Sequence, residues 1–190
     1  MNKIIITAAS QVTVADLATA QLGPRFGRLD LASQLALLAV ETLGVNFDSL
    51  PRERVAICLA AQAGSLSTDV EFWRGHGGVG GPSPTLFAYT LPSAAIGELA
   101  IRYRLTGPNL CFTGDSRAVL PEATDLLHRG EADYCVSVFC HVISATAAEL
   151  TSLPPTARAS AVFLQRAGTG LTDLGEFDRD MEKACAKFRA

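Results

Sequence analysis

Charge is scarce in this sequence. Charged residues fill 18% of the 190 positions against 48% hydrophobic ones, and mean hydropathy is +0.25. A chain this apolar offsets the entropy of its own ordering, so a disordered protein is excluded. Basic residues are in slight deficit, 16 against 19 acidic, and the pI is about 5.6. No basic face dominates, so nucleic acid is not expected as a partner. Long hydrophobic runs are missing too. The best stretch, 134–148, is interrupted by Ser137, His141, Ser144 and Thr146 and falls short of the roughly 20 apolar residues that span a bilayer. The apolar start at 4–9 is shorter than a secretory core segment and reads as a strand. Five cysteines, Cys58, Cys111, Cys135, Cys140 and Cys185, are odd in number and lie mostly inside apolar runs. That pattern fits buried, reduced thiols of a cytoplasmic protein better than a disulfide framework.

The length suits one core of ordinary size, and neither an internal repeat nor a low-complexity block is present. Strand and helix patterns alternate. Residues 3–8, 55–61, 109–113, 133–143 and 157–165 read as strands, the last antiparallel to its predecessor. Segments 30–43, 66–74, 93–104 and a stretch ending at His128 read as helices. The expected class is α/β, a layered and mostly parallel sheet with helices on both faces and a final antiparallel strand. Residues 1–170 would form the body and 171–190 an amphipathic helix. In that tail Leu174, Phe177, Met181, Ala184 and Phe188 step by three and four. The stripe suits docking on its own domain, or on a partner chain.

Residues 75–80 spell the glycine pattern of a dinucleotide loop, but a helical pattern precedes it and Gly81-Pro82-Ser83-Pro84 follows. The dinucleotide mechanism needs a strand before and a helix N-terminus after, so no nucleotide or other cofactor is expected. Cys135, Cys140 and His141 lack the spacing of a zinc site, and no metal is expected. His128 reads as a surface residue at a helix C-terminus. Proline disrupts a helix interior, so the helix containing Pro121 is expected to start near Leu120 or to kink there.

Several stretches, taken in order, carry a resemblance. They are residues 28–37, Arg54 to Leu59 with Gly64-Ser65, residues 83–97, Leu105-Thr106-Gly107-Pro108-Asn109, and Arg129-Gly130-Glu131-Ala132-Asp133. Together they resemble the N-terminal half of β-ketoacyl synthases, condensing enzymes of the thiolase-like superfamily. The resemblance implies a catalytic cysteine nine residues after Gly107, where this sequence has Ser116. It also implies two histidines from a C-terminal half, which His76, His128 and His141 do not match. A serine hydroxyl is far less acidic than a thiol and needs an adjacent base, so condensation is not expected of this chain. Ser116 alternatively reads as a helix cap and Asp115 as a turn residue.

By the same resemblance, the chain looks like a chain length factor, a ketosynthase-like subunit without the cysteine that shapes its partner's acyl tunnel. It implies a homo- or hetero-oligomer with a ketosynthase, in fatty-acid or polyketide biosynthesis. Pairing would run along a strand formed by Asn109, Leu110, Cys111, Phe112 and Thr113, and the exposed apolar surface of a single half would favour such assembly. An acidic acyl carrier protein is a further implied partner, with Arg102, Arg104, Arg117 and Arg129 as docking residues. A separate chain supplying the missing half remains open. So does an acyltransferase or thioesterase-like reaction at Ser116, for which His76 is the local candidate base.

Overall fold

Among the described residues one five-stranded sheet carries an apolar core on each of its faces. The structure, a computed structural model, describes residues 3–20, 22–23, 26–78, 81–167 and 180–189. In chain order the elements are β1 (Lys3–Thr13), α1 (Val14–Leu17), α2 (Leu31–Thr42), β2 (Val55–Ala61), α3 (Leu66–Gly75), α4 (Pro84–Phe87), α5 (Ala94–Tyr103), β3 (Asn109–Thr113), α6 (Val119–His128), β4 (Tyr134–Ile143), α7 (Ala145–Ala148), β5 (Thr156–Ala167) and α8 (Met181–Arg189).

The strand order is β1-β5-β4-β2-β3. β2 pairs in parallel with β3 and β4, while β5 runs antiparallel to both β4 and β1. Four strands therefore point one way and only β5 is reversed. The continuous apolar run of β2 is buried at every position, as a central strand covered on both faces requires. Val55, Ile57 and Leu59 face one core with α2 and α5. The smaller Ala56, Cys58 and Ala60 face a second core with α6 and α8. Small side chains there let α6 lie close to the sheet.

Local chemistry fixes the frame. Asp30 caps α2, its Oδ1 accepting the Ser33 N–H at 3.0 Å, and its Oδ2 accepts the Thr68 hydroxyl of α3 at 2.8 Å. Gly107 is required by close approach, because a Cβ there would stand 2.3 Å from the Val55 carbonyl oxygen. Beside it the Ile57 N–H donates to Pro108 O at 2.9 Å and starts the β2–β3 ladder. At the N-terminal ends of the strands the Asp133 carboxylate receives Arg54 Nε at 2.8 Å and also pairs with Arg166 of β5. Arg54 further donates to Gly130 O at 2.8 Å, tying the turn before β4 to β2.

The α6 helix begins at Val119, with Ala118 as its N-cap. Pro121 thus sits in the first turn, where a backbone N–H has no intrahelical acceptor to lose. The expected start near Leu120 is found. Ser116 is not a helix cap, contrary to that reading of the sequence, because the turn of Asp115 to Ala118 intervenes. β1 is longer than expected, running on through Ser10 to Thr13 as antiparallel partner of β5. In the tail the described helix starts at Met181; Leu174, Phe177 and the Phe188 side chain lie outside the described residues.

Candidate functional site

The parallel strands β2 and β3 end together at Ala61 and Thr113, level with Cys140 of β4, which runs on to Ile143; this is the edge at which open α/β sheets build ligand sites. Ser116 lies three residues past β3 in a tight turn. The Gly114 N–H donates to Ala61 O at 3.3 Å, and a Cβ on Gly114 would approach the Ala118 Cβ to 2.9 Å. Asp115 closes the turn by accepting the Arg117 N–H at 2.9 Å.

Ser116 is 9% exposed and faces α8. Its hydroxyl donates to Asp180 Oδ1 at 2.9 Å, and its carbonyl accepts the Met181 N–H at 2.9 Å. Asp180 Oδ1 also accepts the Glu182 N–H at 3.1 Å, so this carboxylate caps α8 while holding Ser116. The partner of Ser116 is therefore an acidic group from the far end of the chain, which sequence reasoning missed. Separation in sequence hides it; the one available signal is an Asp immediately before Met181 of the apolar stripe.

The three histidines do not converge on Ser116 through any hydrogen bond. His76 is exposed just beyond α3 and stacks on Trp73 with ring centroids 5.8 Å apart. His128 is exposed at the end of α6. His141 is 8% exposed on the α6 and α8 side of β4. Three of the thiols are held back as nucleophiles: burial pushes Cys140 up to about 12 and raises Cys111. Cys58 is raised by its hydrogen bond with Cys135 and by burial. All five are free. Among the described residues no three His, Cys, Asp or Glu side chains gather as a metal group, and no helix is long and apolar enough to cross a membrane. Residues 75–78 continue directly from α3, so a helix and not a strand precedes the glycines.

β3 is an edge of the sheet. Its first and last rungs, Ile57 N–H to Pro108 O and Gly114 N–H to Ala61 O, set the alternation of a parallel pair. The N–H groups of Leu110 and Phe112 then face β2, and those of Asn109, Cys111 and Thr113 face outward. The sheet face behind Ser116 is covered by α6 and by Met181, Ala184 and Cys185 of α8. Exposed apolar surface lies instead around a groove of about 640 Å³ between α3, α4 and α7, where Trp73 is 74% exposed beside Phe87 and Leu150. Of the four arginines, Arg102 pairs with Glu41, Arg117 with Asp115, and Arg129 with Asp125 and Glu131.

A five-stranded sheet with one reversed strand among the described residues and helices on both faces is the fold this chain shares with solved ketosynthase and chain length factor structures. The chain superposes on the ishigamide ketosynthase/chain length factor with a TM-score of 0.72 and 20% identity, over 98% of this chain and 72% of that one. A ketosynthase in complex with its chain length factor, from Xenorhabdus doucetiae, gives 0.68 and 18%, over 89% and 81%. A type II polyketide synthase acyl-carrier protein in complex with its ketosynthase bound to the hexaketide gives 0.74 and 16%, over 87% and 63%. No protein-family model matches the sequence and no curated protein does.

Proposed function

We propose that this chain is a non-elongating, ketosynthase-like subunit of fatty-acid or polyketide assembly in the cytoplasm, acting as structural partner and acyl-tunnel scaffold for a ketosynthase. The observation that carries the reading is the environment of Ser116. The position aligned by the Gly107-Pro108 count holds a hydroxyl that donates to the Asp180 carboxylate, with no imidazole or amine as its partner among the described residues. A carboxylate is a weak base for an alcohol, so this pair stabilises the fold around the turn more readily than it generates a nucleophile.

The fold and the free edge of β3 support pairing through Asn109 to Thr113, where three outward N–H groups await a second strand. An acyl carrier protein is a further partner in this proposal. Three of its four expected docking arginines already sit beside carboxylates, so Arg104 is left as the main cation of that set.

Incubation with acyl-loaded carrier protein, followed by intact mass measurement, tests the reading. The unmodified mass is expected, together with a stable complex on co-expression with a ketosynthase from the same source. An acyl adduct that vanishes in Ser116→Ala overturns the scaffold reading in favour of an acyltransferase or thioesterase-like reaction.

A further inference from the structure

Two bonds of different kinds bring the start of α8 onto Ser116. The hydroxyl donates to Asp180 Oδ1 at 2.9 Å, and the Met181 N–H donates to the Ser116 carbonyl at 2.9 Å. The second bond is to backbone and does not depend on the side chain at 116. It holds the first turn of α8 across this position whether that side chain carries oxygen or sulfur.

The helix is fastened again further along. Glu182 Oε1 accepts Arg158 Nε of β5 at 2.5 Å, and the Cys185 thiol donates to Ala161 O of the same strand at 3.6 Å. Met181, Ala184 and Cys185 are buried in one core with Val119 and Leu120 of α6 and Phe139 of β4. Such apolar burial, and not helix propensity, is what seats a helix this short.

Asp180 adds charge to the packing. Its Oδ1 also accepts the Glu182 N–H at 3.1 Å, which fixes the carboxylate beside position 116 as the cap of α8. A thiol placed there must become an anion to attack an acyl group, and a fixed like charge disfavours that form. Packing and charge therefore oppose acylation independently of the missing sulfur.

We propose that α8 is a built-in plug over position 116: with Met181 seated and Asp180 facing that side chain, restoring a cysteine would not restore an acyl acceptor. The plug rests on the non-elongating reading above and extends it from a lost nucleophile to a closed site.

Alkylation of Ser116→Cys by iodoacetamide at about pH 8, resolved by peptide mapping, tests the plug. Half-buried Cys111 of the same chain is the internal reference. The introduced thiol should react at least about tenfold more slowly than Cys111, because reaction waits on local undocking of α8. Adding Asp180→Asn removes the charge but keeps a capping side chain, and should raise the rate about tenfold, the equivalent of one pKa unit. Adding Glu182→Ala instead frees Arg158 and should raise it several-fold. Native Cys185 gives a reading that needs no substitution: in the wild type it should also label at least about tenfold more slowly than Cys111. An introduced thiol that reacts at the Cys111 rate, a rate that neither addition changes, or wild-type Cys185 labelling as fast as Cys111 overturns the plug. These rates are read on the chain alone, so failure to form a ketosynthase complex overturns the partner reading and leaves the plug standing. An acyl adduct on wild-type Ser116 overturns both.

Discussion

The Ser116 hydroxyl and the Asp180 carboxylate meet at 2.9 Å across 64 positions of sequence. One bond thereby joins the turn after the edge strand to the cap of the last helix. Ser116→Ala removes the donor but leaves Asp180 capping α8 through the Glu182 N–H. A loss of about 1–2 kcal/mol is expected in urea unfolding, the range for a hydrogen bond to a charged group. A loss below the error of the measurement would show that water replaces the hydroxyl without cost.

Gly107 has no room for a side chain. The Cβ of Gly107→Ala would lie 2.3 Å from Val55 O, against backbone of the central strand that cannot yield without breaking the ladder. A destabilisation above about 3 kcal/mol is expected, beyond the usual range for surface changes. Circular dichroism with a denaturant series measures it.

The outward edge of β3 separates assembly from folding. Cys111→Pro deletes an N–H that faces away from β2, which edge strands tolerate. The variant should keep a cooperative unfolding transition and lose the proposed ketosynthase complex in size-exclusion chromatography with light scattering. A complex of unchanged mass would remove β3 from the interface.

Asp133 carries an acid-sensitive share of the stability. The Arg54 hydrogen bond holds its carboxyl below the usual carboxylate range; burial opposes it, and the charges of Arg166 and Arg54 add to the lowering. A depressed value means the stabilisation is fully present above about pH 4 and is lost as pH falls through the folded-state value. Asp133→Asn should unfold more easily at neutral pH, by about 1–2 kcal/mol given partial solvent screening. Its stability should then fall less steeply than the wild type between about pH 5 and pH 3.

Thiol reactivity should be uneven. Cys111 is half-buried on the edge strand while Cys58, Cys135, Cys140 and Cys185 are buried. At about pH 8 Cys111 should label first with a maleimide, and Cys140, whose pKa burial pushes up to about 12, only on unfolding. Labelling of Cys140 at the Cys111 rate would contradict the core packing.

Much of the framework was legible in the residues because it rests on local rules. Val55–Ala61 and Asn109–Thr113 appear as strands at the expected positions, since a continuous apolar run and a Gly-Pro stop leave little choice. The first-turn placement of Pro121 follows from its missing N–H alone. The polar end of β1 was not legible as strand. Ser10 is buried there because its hydroxyl reaches Ala39 O at 2.6 Å, a contact no pattern within residues 3–13 encodes. One-turn helices such as α4 and α7 are likewise too short to show a period.

By itself the sequence determined the alternation of strands and helices, the two-faced burial of β2 and the serine at the count from Gly107, because periodicity, backbone sterics and residue identity act over a few positions. Only the tertiary structure decided that α8 closes the second face, that Asp180 takes the Ser116 hydroxyl, and that Arg158 of β5 meets Glu182 of α8. Those contacts join segments far apart along the chain. They depend on strand order and register, which are set by the shared burial of the whole sheet and not by any one stretch of residues.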